Sequence, residues 1–395
     1  MAIDHLGLVQ FAQELVRIPS VFDPGTQRCE EPAARLVARQ MEAFGWSPVI
    51  EHVAPGRPNV HCIVEGGRPG PTLLFEGHTD VVTEGARASW AIDPFAGTIE
   101  GGRLHGRGSA DMKAGLAAAM FAVRAVADAG PFPGRLMIAA LCDEEGMMTG
   151  AKHFVRAGHL TGVGGIICCE PEGGEICNSA KGAIRLQVSF RGRMAHGAMP
   201  FMGANPIGPL GRFLVSLAAY EAELQHMLPE HEHLGRPWLT PTVARAGEPT
   251  QMNVMPADAA LWLDVRTVPG IEHGELVERV ERLAAQAAGD GEVVTSIEVI
   301  DDRPVVSVGA HDPLVRAVVA AHEAMLGEPA RLGGVPGATD GTVLTSRTGV
   351  PSIVYGPGGK WIAHQVDEYV ELASIEQHAE VYVDAAHRFL AAGAA

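Results

Sequence analysis

The sequence contains no run of apolar residues approaching the roughly 20 that a membrane-spanning helix requires. Its first residues, Met1-Ala2-Ile3-Asp4-His5, carry neither the basic nor the apolar segment of a secretory signal. Positive charge is scarce, because 30 Lys and Arg residues face 47 Asp and Glu residues, for a formal net charge of −17. Such a surface repels nucleic acid phosphates and anionic lipids, so we expect neither nucleic acid nor a membrane as a partner.

Cysteine is also rare, with six residues in a chain of 395. Cys142, Cys168 and Cys169 lie in apolar strand-like runs, as is typical of buried free thiols. Without a secretory signal, this usage favours a reduced, cytoplasmic location over a disulfide-bonded one. The hydrophobic and charged fractions, 47% and 19%, are those of a globular protein, and the length indicates two domains.

The outer parts of the chain have the pattern of an α/β domain. The predicted elements are helices at 4–17, 30–45, 114–129, 312–326 and 375–391 and strands at 60–64, 72–76, 135–142, 165–169 and 352–355. Short apolar strands that alternate with helices predict a mostly parallel sheet flanked by helices. We assign residues 1–182 and 300–395 to this domain.

Residues 183–299 follow a different pattern. Apolar and polar residues alternate from Ile184 to Phe190, as in a strand that is exposed on one face. The elements predicted after it are a helix at 206–223, a Pro-rich connection at 237–241, strands at 251–254 and 259–266, a helix at 274–288 and a strand at 293–299. This βαββαβ-like order predicts an inserted two-layer α+β domain.

Side chains that can bind metals follow the buried strands of the first domain. They are His78 and Asp80, Glu144 and Glu145, Glu170, and His364. In open α/β sheets, sites form beyond the carboxyl ends of the strands. Asp111 precedes the helix at 114–129, where an Asp is typical of a helix cap but where it is also able to give one oxygen to each of two metal ions. The residues alone leave both interpretations open.

The motifs together resemble the zinc peptidase and deacylase family of acetylornithine deacetylase, succinyl-diaminopimelate desuccinylase, aminoacylase and glutamate carboxypeptidase. The similarity covers nearly the whole chain, in order. It lies in His78-Thr79-Asp80, Gly106 to Lys113, Asp143-Glu144-Glu145, Glu170-Pro171, Asn178 to Gly182, Ala195-His196-Gly197, Asn253 with Pro256, Asp264-Val265-Arg266, and Gly356-Pro357-Gly358 followed by Ala363-His364.

The resemblance implies a catalytic domain with two Zn²⁺ ions, replaceable by Co²⁺ or Mn²⁺. His78 and Glu170 would hold one ion, Glu145 and His364 the other, and Asp111 would be shared. Imidazole and carboxylate ligands suit Zn²⁺ and leave a position open for water.

Further roles follow from the same resemblance. Asp80 would accept the second ring N–H of His78 and so fix its tautomer. Glu144 would be the general base that takes a proton from a metal-bridging water. His196 would stabilise the oxyanion, in its own or the partner subunit. The implied substrate contacts are Arg266, Asn253 and Gly358, and the inserted domain would act as a lid and form a homodimer.

We therefore expect an amidohydrolase that cleaves the amide bond of an N-acyl amino acid, a small-molecule substrate. The alternatives are a metal-dependent exopeptidase that acts on short peptides and a non-catalytic binding relative. The remaining histidines, among them His61, His153 and His159, and the segment Glu230 to His233 are expected to be packing or solvated residues.

Overall fold

In the computed structural model, the described residues are 3–23, 25–26 and 28–393. The outermost ends of the predicted first domain, 1–2 and 394–395, lie outside them. The chain forms two compact units. The first unit contains the residues up to Ser179, Val306–Val335 and the residues from Thr339 onward, and the second contains Ala180–Val305 and Pro336–Ala338.

The helices, in chain order, are α1 (His5–Val16), α2 (Glu31–Ala43), α3 (Ala114–Asp128), α4 (Thr149–Arg156), α5 (Ile207–Met227), α6 (His273–Ala288), α7 (Pro313–Leu326), α8 (Asp340–Thr348) and α9 (Leu372–Ala392). None of these described helices combines the length and the apolar character that crossing a bilayer requires.

The strands are β1 (Val49–Ala54), β2 (Arg57–Glu65), β3 (Gly67–His78), β4 (Thr98–Glu100), β5 (Arg103–His105), β6 (Phe132–Leu141), β7 (Val163–Cys168), β8 (Glu175–Ala180), β9 (Gly182–Arg191), β10 (Ala195–His196), β11 (Trp238–Ala246), β12 (Val254–Met255), β13 (Asp258–Thr267), β14 (Val294–Arg303), β15 (Val306–Ser307), β16 (Arg331–Val335), β17 (Ser352–Val354) and β18 (Tyr369–Glu371).

The first unit is built on a large mixed sheet. Among the described residues its strand order is β1-β2-β6-β3-β7-β17-β8-β15, and β16 pairs with β8. The four central strands β6, β3, β7 and β17 are parallel, whereas β1, β2 and β8 join antiparallel. Helices α3, α7 and α9 pack together, and α3 and α9 also contact β3 and β6. The predicted α/β class with helices flanking a sheet is confirmed.

The central strands are buried because they are continuously apolar. Leu73, Leu74 and Phe75 of β3 are almost fully buried, and so is the stretch of β6 from Leu136 to Leu141. Helix α3 is apolar on nearly all sides and buried along most of its length, as expected of a helix enclosed by other elements. The buried core of the unit therefore extends along β3 and β6 to the carboxyl ends of these strands.

The second unit is a four-stranded antiparallel sheet in the order β11-β13-β9-β14. The apolar side chains of β9 between Ile184 and Phe190 form a core with those of α5 and α6. The unit thus has the predicted two-layer form. The four strands of this sheet and the two helices follow the order βαββαβ, and the short strands β10 and β12 pair separately.

One part of the second unit differs from the prediction. Residues 238–241 of the predicted Pro-rich connection belong to β11. The strand predicted at 251–254 is a helical turn, Pro249–Gln251, followed by the two residues of β12. Strand β11 accommodates Pro241 because it is an edge strand, where a missing N–H is tolerated, and its register shifts between Pro241 and Val243.

Candidate metal centre

The carboxylate of Asp111 lies between two imidazoles. Its Oδ1 is 3.1 Å from Nε2 of His78, and its Oδ2 is 3.2 Å from Nε2 of His364. Each oxygen thus faces a different histidine, as expected of a carboxylate shared by two cations. Asp111 does not cap α3, since that helix begins at Ala114 with no side-chain hydrogen bond to its N-terminus.

Two further carboxylates complete the group around these imidazoles. Oε1 of Glu170 is 3.5 Å from Nε2 of His78, and Oε1 of Glu145 is 2.8 Å from Nε2 of His364. Donor atoms of His78, Asp111 and Glu145 lie within 4.8 Å of one another, as do those of His78, Glu144 and Glu170. Imidazole and carboxylate donors at such separations fit the preferences of Zn²⁺.

The parallel strands bring these side chains together. His78 is the last residue of β3 and is paired in register with Leu141, the last residue of β6. Glu76, two residues earlier, is opposite Cys168 at the end of β7. The chain segments that carry Glu144 and Glu170 leave the sheet at the same edge, so a site at the carboxyl ends of the strands follows from the topology.

The tautomer of His78 is set by a backbone group. Nδ1 of the ring lies 3.0 Å from the carbonyl oxygen of Asp80, which only accepts. A neutral His78 therefore carries its proton on Nδ1 and presents an unprotonated Nε2 to Asp111 and Glu170, which is the form that binds a metal.

The carboxylate of Asp80 has a different partner from the one predicted. It is 3.6 Å from Nδ1 of His78 and instead accepts the backbone N–H groups of Glu144, at 3.2 Å, and Glu145, at 3.0 Å. The Asp80 carboxylate thus binds the turn after β6, and the Asp80 backbone carbonyl orients the His78 imidazole. Asp80 thus positions the neighbouring glutamates as well as the histidine.

A buried ion pair that the sequence analysis missed supports the centre. The guanidinium of Arg107 pairs with the carboxylate of Glu368, and both side chains are almost fully buried. Oε1 of Glu368 accepts the backbone N–H groups of Ala110, at 3.0 Å, and Asp111, at 3.1 Å. Arg107 also donates to the carbonyl of His364 at 3.2 Å. The pair therefore holds the backbones of two candidate ligands.

His364 is unusual among the candidate ligands in its exposure and its backbone. Its side chain is 49% exposed, whereas that of His78 is fully buried. Its φ of +65° is uncommon for a residue other than glycine. The hydrogen bond from Arg107 to its carbonyl is one contact that stabilises this conformation.

The electrostatics of the centre reflect several carboxylates in a confined space. Burial raises the pKa of Glu144 and Glu170 well above the usual value, and nearby carboxylates raise both further. Burial also opposes ionisation of Asp111, but hydrogen bonds from His364 and His78 outweigh it and lower its pKa. Hydrogen bonds to Asp111 and Glu145 raise the pKa of His364 to about 10. A donor set of this charge fits divalent cations.

Gly358 packs closely against Ala110 and Pro171, beside two of the candidate ligands. Its φ is +107°, and a Cβ atom on it would lie 3.1 Å from Cβ of Ala110 and 3.2 Å from Cβ of Pro171. Those residues adjoin Asp111 and Glu170, so a larger side chain at this position would displace the segments that carry candidate ligands.

The remaining predicted residues, His196, Asn253 and Arg266, belong to the second unit. His196 is the last residue of β10, and Asn253 directly precedes β12, with which β10 is paired. The N–H of Gly197 donates to the carbonyl of Asn253 at 2.7 Å. Nδ1 of His196 accepts the N–H of Ala198 at 3.1 Å, so the neutral ring carries its proton on Nε2. Arg266 is in a two-point contact with Asp264, at 2.5 and 3.1 Å.

Comparisons with known proteins agree with this geometry. Residues 74–388 match Peptidase family M20/M25/M40. The chain is 33% identical over 385 residues to succinyl-diaminopimelate desuccinylase of Methylobacterium sp. (strain 4-46), an alignment that covers 94% of this chain and 93% of the relative.

Solved structures share the fold. The M20 family metallo-carboxypeptidase Sso-CP2 from Sulfolobus solfataricus superimposes with a TM-score of 0.78 at 17% identity, over 98% of this chain and 99% of its own. The YXEP protein of Bacillus subtilis, a dinuclear metal binding peptidase from the M20 family, gives a TM-score of 0.70 at 18% identity, over 96% of this chain and 97% of its own. The chain therefore belongs to the M20/M25/M40 peptidase family, and it is a metal-dependent hydrolase of amide or peptide bonds.

Proposed function

We propose that the protein hydrolyses the amide bond of an N-acyl amino acid and that its centre holds two Zn²⁺ ions. The observation that carries this proposal is the position of Asp111, whose two oxygens face two different imidazoles at 3.1 and 3.2 Å. His78 and Glu170 would hold one ion, and Glu145 and His364 the other. Co²⁺ or Mn²⁺ would be expected to fit the same donors.

When bound, the ions supply Lewis acidity, which lowers the pKa of water to about 7 and stabilises negative charge on the substrate oxygen. The protein supplies the proton transfers. Glu144 is buried beside His78 and Glu170, and its backbone is fixed by the Asp80 carboxylate. Glu144 accepts a proton from the attacking water and delivers it to the departing amine.

Further roles are proposed for residues of the second unit. The Nε2–H of His196 would donate to the oxyanion of the tetrahedral intermediate, and this tautomer is favoured by the contact of Nδ1 with Ala198. Arg266 and Asn253 would bind the substrate carboxylate, for which a guanidinium is suited by its forked geometry. Gly358 would let the backbone approach the substrate.

The acyl amino acid class is favoured by the desuccinylase relative, which aligns along almost its entire length. An exopeptidase that removes one residue from a short peptide is the second candidate, because the fold is shared with a metallo-carboxypeptidase. Turnover of N-acetyl and N-succinyl amino acids beside matched dipeptides distinguishes the two. Faster cleavage of the dipeptides would support the exopeptidase.

We further propose that the second unit mediates homodimer formation. Met194, Met199, Phe201, Met202 and Met252 are exposed and flank the paired strands β10 and β12. A group of exposed apolar side chains of this kind marks an interaction surface.

The six free cysteines, five of them buried, support a cytoplasmic location.

The role of Glu144 is tested by Glu144→Gln, which keeps the size of the side chain and removes the base. We expect hydrolysis to fall by about 10²–10⁴-fold while the zinc content, measured by elemental analysis, stays unchanged. Glu65→Gln, which alters an exposed carboxylate at the end of β2, is the control and should keep full activity. Full activity of Glu144→Gln would contradict the assignment.

A further inference from the structure

A second group of metal-binding side chains lies at the β1 edge of the large sheet. Oε2 of Glu51, on β1, is 2.8 Å from Nε2 of His159, 3.9 Å from Nδ1 of His61 and 3.9 Å from Nε2 of His153. His61 is on β2, His153 is in α4, and His159 follows that helix. We call these four residues the edge cluster, and none of them contributes to the centre around Asp111.

His61 is the buried member of the edge cluster. The residue is 6% exposed, and its Nδ1 has no hydrogen-bond partner among the described residues although it faces the Glu51 carboxylate. Leaving a buried polar atom unpaired is costly. Burial and the neighbouring His159 lower the pKa of His61, which favours the neutral ring.

The spacing of the donor atoms is close to what one ion requires. Zinc bonds to nitrogen and oxygen are about 2.0–2.2 Å long, so the ligand atoms of a tetrahedral ion lie about 3.4 Å apart. The observed separations of 2.8 and 3.9 Å lie on either side of this value. Donor atoms of Glu51, His61 and His159 all lie within 4.8 Å of one another.

Aromatic rings surround part of the edge cluster. The rings of His61 and His159 are in contact, with centroids 4.3 Å apart and planes inclined by 46°, and Phe154 packs against both. Phe154 thus places an apolar ring beside both imidazoles. A less polar environment strengthens the attraction between a cation and its ligands.

We propose that Glu51, His61 and His159 bind a divalent transition-metal ion of the zinc type. Two imidazoles and one carboxylate select Zn²⁺ and its neighbours over Mg²⁺ and Ca²⁺, which prefer oxygen ligands. The ion joins the β1–β2 hairpin at the sheet edge to the chain segment after α4.

The test compares zinc equivalents in the wild type and in Glu51→Gln/His159→Asn. Both substitutions are at partly exposed positions, and the buried His61 stays intact, so the variant is expected to fold. After chelator treatment and equilibrium dialysis against Zn²⁺, we expect the variant to retain one equivalent less than the wild type. This difference does not depend on how many ions the centre around Asp111 binds.

The matched control is His52→Asn, since His52 is the next residue on β1 and its side chain is 52% exposed. This control should bind as much zinc as the wild type. Equal zinc in the wild type and the double variant overturns the proposal, as does an equal loss in the control. Unchanged hydrolytic activity of the double variant is expected and would show that it is folded.

A second measurement locates the ion. Hydrogen exchange of residues 157–162 should slow when Zn²⁺ is added to the metal-free wild type, because the ion would anchor His159 to the sheet. The same residues should not respond in Glu51→Gln/His159→Asn. An identical response in both proteins would overturn the placement of the ion.

Discussion

The Arg107–Glu368 pair offers the sharpest test of how the metal centre is supported. Glu368→Gln keeps the shape of the side chain but removes the charge that neutralises Arg107. Oε1 of Glu368 accepts the N–H groups of both Ala110 and Asp111, and Oε2 pairs with Arg107. A Gln has only one oxygen, so either these N–H groups or the Arg107 guanidinium would face the amide NH₂ group instead of an acceptor. Burial raises the pKa of Glu368 to about 7, against the opposing effect of Arg107. Measurements at pH 8.5 therefore compare a charged with a neutral side chain.

The expected effect is large because the pair is buried. Removing one partner of a buried ion pair costs about 3–5 kcal/mol. With a shift of about 2–4 °C per kcal/mol, the melting temperature should fall by roughly 6–20 °C. Glu368 also positions the backbone of Asp111, and loss of such support typically lowers metal affinity about 10–100-fold.

The assay is thermal and denaturant unfolding of metal-free protein, followed by competition for Zn²⁺ with a chelator. Glu371→Gln is the matched control, because Glu371 pairs with Arg103 at 2.8 Å but both side chains are more than 40% exposed. An exposed pair contributes at most about 1 kcal/mol. If Glu368→Gln costs no more than Glu371→Gln, the reasoning about this pair is wrong.

Three other outcomes are expected. Burial lowers the pKa of His378 from 6.5 to about 4. The neutral ring therefore contributes fully to stability above pH 6.5, and this contribution is lost as the pH falls toward 4. In His378→Gln, the unfolding free energy should fall by about 2 kcal/mol less between pH 6.5 and 4.5 than in the wild type. Gly358→Ala should destabilise the protein by about 1–2 kcal/mol and weaken zinc binding, whereas Gly309→Ala, with no atom within 4 Å of the added Cβ, should do neither. Chelation should abolish hydrolysis and Zn²⁺ restore it, and full activity of a metal-free preparation would contradict the proposed function.

The fold class and the candidate ligands were accessible from the sequence for a physical reason. Buried parallel strands are short and continuously apolar, so the polar residue at or just beyond the end of each one is conspicuous, as with His78 at the end of β3 and Glu170 after β7. Parallel strands end at one edge, which predicts that these residues meet. The structure brings them within a few ångströms, and their roles in catalysis stay predictions.

What the sequence did not reveal depends on contacts between distant residues. Glu368 lies in a polar stretch that resembles a surface loop, and its partner Arg107 is 261 residues away. Glu51 and His159 are separated by 108 residues, and no local pattern joins them. Proline in residues 237–241 led to the prediction of a connection instead of strand β11. An edge strand tolerates proline, but the sequence does not show which strand becomes the edge.

The position of β17 has a consequence for synthesis of the chain. This strand lies between β7 and β8 in the sheet, yet it follows the whole second unit in the sequence. The ribosome adds 184 residues between the end of β7 at Cys168 and the start of β17 at Ser352, which takes roughly 10–40 s at about 5–20 residues per second. During this interval one edge of β7 has no permanent neighbour, and the nascent chain is most open to mispairing with other strands.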